Sequence, residues 1–126
     1  MEEFYLNLIG SGFSDEYISL KYQEDIVFHK KGDVWRSRTG ELYASNFFKY
    51  RIKVVYEIGF LVAIDHLIEN IDNDQNLKNL VFNSSQLEVQ ISISLDENIR
   101  VPHFHMTPSQ MLYFANIGAE LDLHIS

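Results

Sequence analysis

His103 and His105 stand two residues apart, a spacing that on an extended strand turns both imidazoles to one side and can begin a metal site. Closing such a site needs further ligands, for which Asp96, Glu97 and His29 are candidates by proximity alone, and no H-E-x-x-H spacing joins them. The competing reading is two partly exposed histidines in a loop that enters a helix. Serine chemistry has less support: Gly10-Ser11-Gly12 is too short for a nucleophile elbow, and Ser14 suits a helix cap. The absence of cysteine excludes disulfides, thiolate catalysis and Cys-ligated zinc. Asp72 and Asp74 lack the ladder of oxygen ligands and the closing Glu of a calcium loop, and read as a solvated turn. These residues demand no reaction, metal or cofactor, so the expectation is a binding protein rather than an enzyme.

The charges carry more information. Residues 29–53 hold Lys30, Lys31, Arg36, Arg38, Lys49, Arg51 and Lys53, seven of the ten cations, with only Asp33 and Glu41 as acids, in a chain of net charge −8. Charge of one sign gathered on one surface steers and orients a complementary partner. Trp35, Arg36, Arg38 and Tyr43 fall in a long loop from His29 to Asn46, and Arg, Trp and Tyr are the types enriched at interface hot spots. Asp65, Glu69, Asp72 and Asp74 form a second, acidic group suited to a basic partner. Cations mixed with aromatics also fit a phosphate or single-stranded nucleic acid. Against that, HKKGD lacks the spacing of a phosphate-cradling glycine loop, and the carboxylates elsewhere repel a polyanion. The same net charge speaks against anionic membranes.

These residues need a scaffold, and 126 residues at 46% apolar suit one domain spanning 1–126. No apolar run approaches the ~20 residues of a membrane span, and the amino terminus lacks a secretory-signal pattern, so the cytoplasm is the expected location. Leu87, Val89, Ile91, Ile93 and Leu95 alternate with polar residues as a strand wet on one face, and Leu121, Leu123 and Ile125 repeat the pattern with those three inward. Between them Thr107, Pro108 and Gln110 predict a capped helix start, and Gly118 its end. Phe4 to Ile9 reads as a strand, Gly10-Ser11-Gly12 as a turn, and Ser14 to about Tyr22 as a short helix. Phe47 to Tyr56 is a strand with Phe48, Tyr50, Ile52, Val54 and Tyr56 on one face and Lys49, Arg51 and Lys53 on the other. Phe60, Ile64, Leu67, Ile68 and Ile71 recur at helical spacing, and Leu77, Leu80 and Val81 suggest a further helical turn. The order β-α-β-α-β-α-β predicts an α+β two-layer sandwich. It has a four-stranded sheet with helices on one face, a ferredoxin-like variant, with the cationic row on the open face or at its edge, near Glu88, Gln90 and Ser92 if those strands are neighbours.

From about Glu3 onward the chain resembles a family of small bacterial domains of unknown function that recurs among the immunity genes of polymorphic-toxin and contact-dependent inhibition systems. The matching pieces are FYLNLIGSGFSDEYISL, the basic segment from Lys30 to Gly40, the aromatic strand after it, and the ending MTPSQMLYFANIGAELDLHIS. The resemblance implies a bacterial, non-enzymatic immunity protein that neutralises a cognate toxin domain by steric and electrostatic occlusion. The alternative is a small-ligand or phosphate sensor that uses the cationic loop and strand.

Overall fold

The computed structural model describes residues 3–22, 26–36, 40–55, 57–94 and 104–125, with the backbone alone at positions 3, 35, 36 and 94. Five strands form the main sheet: β1 (Glu3–Ser11), β2 (Ile26–His29), β5 (Phe47–Lys53), β6 (Gln86–Ser94) and β7 (Ala119–Ile125), in the order β2-β5-β1-β6-β7. Two shorter strands, β3 (Val34–Arg36) and β4 (Glu41–Leu42), pair as a separate ribbon. Among the described residues the α-helices are α1 (Phe60–Asn73), α2 (Gln75–Asn83) and α3 (Pro108–Asn116).

The α+β reading holds, but the four-stranded, helix-alternating order does not. β1 is central and antiparallel to both β5 and β6. The two strands joined through α1 and α2 therefore run parallel to each other with β1 between them. Only β6 and β7, connected through α3, are adjacent and parallel. The helix expected from Ser14 to Tyr22 is a single 3-10 turn, Asp15–Tyr17, and its Ser14 hydroxyl bonds the Glu16 carboxylate rather than a backbone amide. The chain then returns as β2 on the outer side of β5. Strand β2 is short and carries no strict alternation, so the sequence pattern hides it.

One hydrophobic cluster joins sheet to helices. Phe4, Leu6 and Leu8 of β1, Phe48 and Tyr50 of β5, and Leu87, Val89, Ile91 and Ile93 of β6 meet Phe60, Ile64, Leu67 and Ile71 of α1 and Leu77, Leu80 and Val81 of α2. The period-two and period-3.6 patterns thus converge on the same interior. Leu95 and Tyr56, the last expected members of their strand patterns, lie outside the described residues.

Polar side chains fix the helix ends. Asp74 is buried and accepts from the amides of Asn76 and Leu77 at 3.0 and 3.3 Å, capping α2. The solvated turn expected there is instead a buried cap whose charge, after burial itself, helps push the Tyr22 phenol up to about 12. Thr107 and Gln110 form the expected capping box at α3, and Gly118 closes that helix at φ 73°. Gln110 is itself buried and its side-chain amide donates to Asp65 Oδ1 at 2.7 Å, tying α3 to α1.

Candidate interaction surface

Alternation along each strand sends a second set of side chains to the face away from the helices. Register places them in cross-strand rows. Arg51, Asn7, Gln90 and Asp122 form one row across β5, β1, β6 and β7. Lys49, Ile9, Glu88 and Glu120 form the next, and Lys53, Tyr5, Ser92 and His124 the third. Positive charge therefore collects on β5, negative charge on β6 and β7, and the uncharged Tyr5, Asn7 and Ile9 of β1 divide them. The expected cationic row is present on the open face, but Glu88, Gln90 and Ser92 stand one strand further away than anticipated, because β1 intervenes.

The dividing strand is tightly organised. Asn7 is fully buried although it belongs to the open face. Its side-chain amide donates to Gln90 Oε1 at 3.1 Å, and its carbonyl accepts from Arg51 Nε at 3.2 Å. The Arg51 guanidinium also lies 4.4 Å over the Tyr5 ring, a cation–π contact that holds the side chain flat across the sheet. An unpaired buried amide would cost about 1–3 kcal/mol, so Asn7 fixes the rotamers of both neighbours.

On the positive side a shallow groove of about 470 Å³ is lined by Tyr5, Val27, His29, Phe47, Lys49, Arg51 and Lys53. Burial first, and the Arg51 charge second, lower the pKa of Lys49. His29 stacks on Tyr43 with centroids 4.6 Å apart, and both rings approach Phe47. The β3–β4 ribbon is thereby fastened to the sheet at its aromatic end, assisted by backbone bonds between Tyr43 and both Gly32 and Asp33. Asn46, which the sequence reading passed over, is buried and joins three segments: it donates to the Phe13 carbonyl and Asp15 and accepts from the Lys31 amide.

On the negative side a depression of about 360 Å³ includes Ser85, Gln86, Glu88, Gly118 and Glu120; it shares Phe47 with the groove on β5 and takes in Ile9 of the second row. Burial, then hydrogen bonding and repulsion from Asp122, then repulsion from Glu120, raise the pKa of Glu88. Raised pKa means that the folded state favours neutral Glu88. That stabilisation is present at low pH and lost as pH rises through the folded pKa. Replacing Glu88 by glutamine is therefore expected to raise the melting temperature at pH 7 by roughly 1–2 °C, a fraction of a kcal/mol once solvent screening is counted. The gain should vanish below the ordinary value of 4.5, where both proteins are neutral at this position. A lower melting temperature for the variant at pH 7, or an offset that survives acidification, would contradict the assignment.

The remaining candidates scatter. Lys30 and Lys31 are exposed at the ribbon base. Trp35 and Arg36 belong to β3, whose side chains there are not described, and Arg38 lies outside the described residues. Asp65, Glu69, Asp72 and Asp74 sit on the helical layer, away from the open face. Asp65 and Asp72 receive bonds from Gln110 and from the Tyr113 hydroxyl, the latter at 3.0 Å; burial, then the Asp72 contact, raise the Tyr113 pKa. Three of the four acids thus brace helices, and Glu69 is exposed. His103, Asp96 and Glu97 lie outside the described residues. His105 is described and exposed, and among the described residues no group of three or more His, Cys, Asp or Glu side chains is placed to hold a metal. No helix among the described residues is long and apolar enough to cross a membrane. No family model, curated protein or solved structure matches the chain.

Proposed function

We propose that this chain is a non-enzymatic bacterial immunity protein whose open sheet face binds a cognate toxin domain in the cytoplasm and occludes it. The observation that carries the reading is the charge-divided sheet, cations on β5 and carboxylates on β6 and β7, held rigid by the Asn7 hydrogen bonds. Such a surface is preorganised, which reduces the ordering cost of association, and its two charge signs fix the orientation of a partner. The acidic half suits the basic surface of a nuclease-type toxin, while the cationic groove meets a local acidic or carbonyl-rich patch beside it. The resemblance of the opening strand, the basic segment and the helix-Gly-strand ending to immunity proteins supports the same reading.

The test is to sequence the genes flanking this one for a large secreted protein with a variable carboxy-terminal domain, and to co-express that domain with this chain. Rescue of growth and a co-purifying one-to-one complex are the expected results. Normal toxicity with no complex would end the proposal.

The groove on β5 also favours a second reading, a sensor for a small anionic ligand, since three cations and two aromatic rings converge on it. That reading predicts salt-sensitive thermal stabilisation by nucleotides or inorganic phosphate. A flat response at low and high salt would remove it.

A further inference from the structure

Leu121, Leu123 and Ile125 follow the inward pattern of β6, to which register pairs them at Val89, Ile91 and Ile93. They nevertheless remain 56%, 59% and 55% exposed. The expectation that they enter the core is therefore corrected. β7 is the outermost strand and extends beyond the cover of α1 and α2, and α3 reaches only its beginning, where Ala119 is half-buried. Phe104 and Met111, also exposed, continue the apolar strip through a cleft of about 390 Å³ that ends at Leu121.

Among the described residues no strand pairs with the outer edge of β7. Natural edge strands carry Lys, Pro, a bulge or a very short length to prevent pairing. The segment AELDLHI has no Lys or Pro, pairs with β6 without a register shift, and is seven residues long. The opposite edge, β2, has four residues and runs directly into Lys30 and Lys31.

We propose that β7 pairs antiparallel with β7 of a second copy of this chain, with Leu123 on the two-fold axis, joining the sheets of two protomers into one. Register decides the occupant. Centring the pair on Leu123 sets Asp122 opposite His124 of the other copy twice, an imidazole N–H facing a carboxylate, and sets Leu121 opposite Ile125 on the apolar side. Centring it on Asp122 would bring two carboxylates face to face, and like charges directly opposite are destabilising. Of these two registers, the one centred on Leu123 is the self-complementary one. The apolar side chains supply area: Phe104, Met111, Leu121, Leu123 and Ile125 each expose on the order of 100 Å², so two copies offer about 1,000 Å², which approaches the ~1,200 Å² of a stable interface before backbone and rim atoms are added.

This pairing is tested without a toxin. Because the chain has no cysteine, Leu123→Cys introduces a unique thiol, and two such thiols across the axis meet disulfide geometry. Under mild oxidation Leu123→Cys should run as a cross-linked dimer, whereas Val27→Cys, equally exposed on the other edge, should stay monomeric. In sedimentation equilibrium the native chain should dimerise, His124→Asp should weaken the dimer by about tenfold or more, and adding Asp122→His should restore it by re-forming both pairs in reverse. A native chain that sediments as a monomer overturns the proposal. So does a dimer that is indifferent to His124→Asp, cross-links equally at both cysteines, or forms only with another protein's strand.

Discussion

Gly10→Ala is expected to lower the unfolding free energy by about 3 kcal/mol, read as a urea midpoint roughly 1–2 M lower. A methyl group added at Gly10 would stand 2.2 Å from Cε1 and 2.9 Å from Cζ of Phe48, and 2.9 Å from Ser84 Oγ. Phe48 is fully buried and directly opposite Gly10 in the β1–β5 register, so its ring cannot swing into solvent. Gly10 occupies the inward position that follows Phe4, Leu6 and Leu8, and there the aromatic ring of β5 fills the space that a β1 side chain would otherwise take. Its φ is not positive, so the cost comes from volume alone. Combining Gly10→Ala with Phe48→Leu removes the clashing ring atoms. The double variant should therefore be more stable than the sum of the two single effects by at least about 1 kcal/mol. A Gly10→Ala protein within about 0.5 kcal/mol of the parent, or strictly additive effects, would refute this packing.

The same glycine shows where the sequence stops being legible. Gly10-Ser11-Gly12 has the composition of a turn, yet Gly10 and Ser11 continue β1, and the strand ends only at Gly12, where φ is 81°. A glycine required for close packing and a glycine required for a left-handed bend look alike in one sequence. Elements with a strong local signal were readable: the alternation of β6, the apolar stripe of α1 and the Thr107–Gln110 box all depend on residues close in the chain. Pairings that depend on distant residues were not. β2 is recognisable only because β5 presents a free edge to it, and β1 is central only because β5 and β6 both choose it as partner.

The candidate surface was legible by half. Strand alternation alone places Lys49, Arg51 and Lys53 together, since a period of two leaves no other arrangement. Asp65, Asp72 and Asp74 read as one acidic group in the sequence, whereas in the fold Gln110, Tyr113 and the α2 amides bond to them. The acids on the sheet, Glu88, Glu120 and Asp122, become a group only through β6–β7 pairing. Asn7 gives no sequence signal at all. A single Asn inside an apolar strand is intelligible only once Arg51 and Gln90 are its neighbours.

That division of labour determines how the proposed toxin interface is best attacked. Lys49→Glu with Lys53→Glu is expected to weaken toxin binding by about 100-fold, some 3 kcal/mol shared by two interface charges, and to abolish protection of growing cells. Arg51 is left in place, because its contacts with Asn7 and Tyr5 would mix a folding defect into the binding result. Lys49 already has its charged form disfavoured by burial and by Arg51, so losing the cation there should leave the thermal melt close to that of the parent. The double variant also makes an acidic protein four charges more acidic, which strengthens long-range attraction to a basic toxin. Weaker binding in spite of that gain can only come from local contacts on β5. The matched control is Glu69→Lys on the exposed side of α1, which should change affinity by less than about threefold, the scale of a screened rim charge. Titration calorimetry at low and high salt separates the two contributions, since steering fades within a Debye length of about 8 Å whereas a desolvated contact persists. Equal affinity for the parent and the Lys49/Lys53 variant, with loss instead at Glu69, would move the interface from the open sheet to the helical layer.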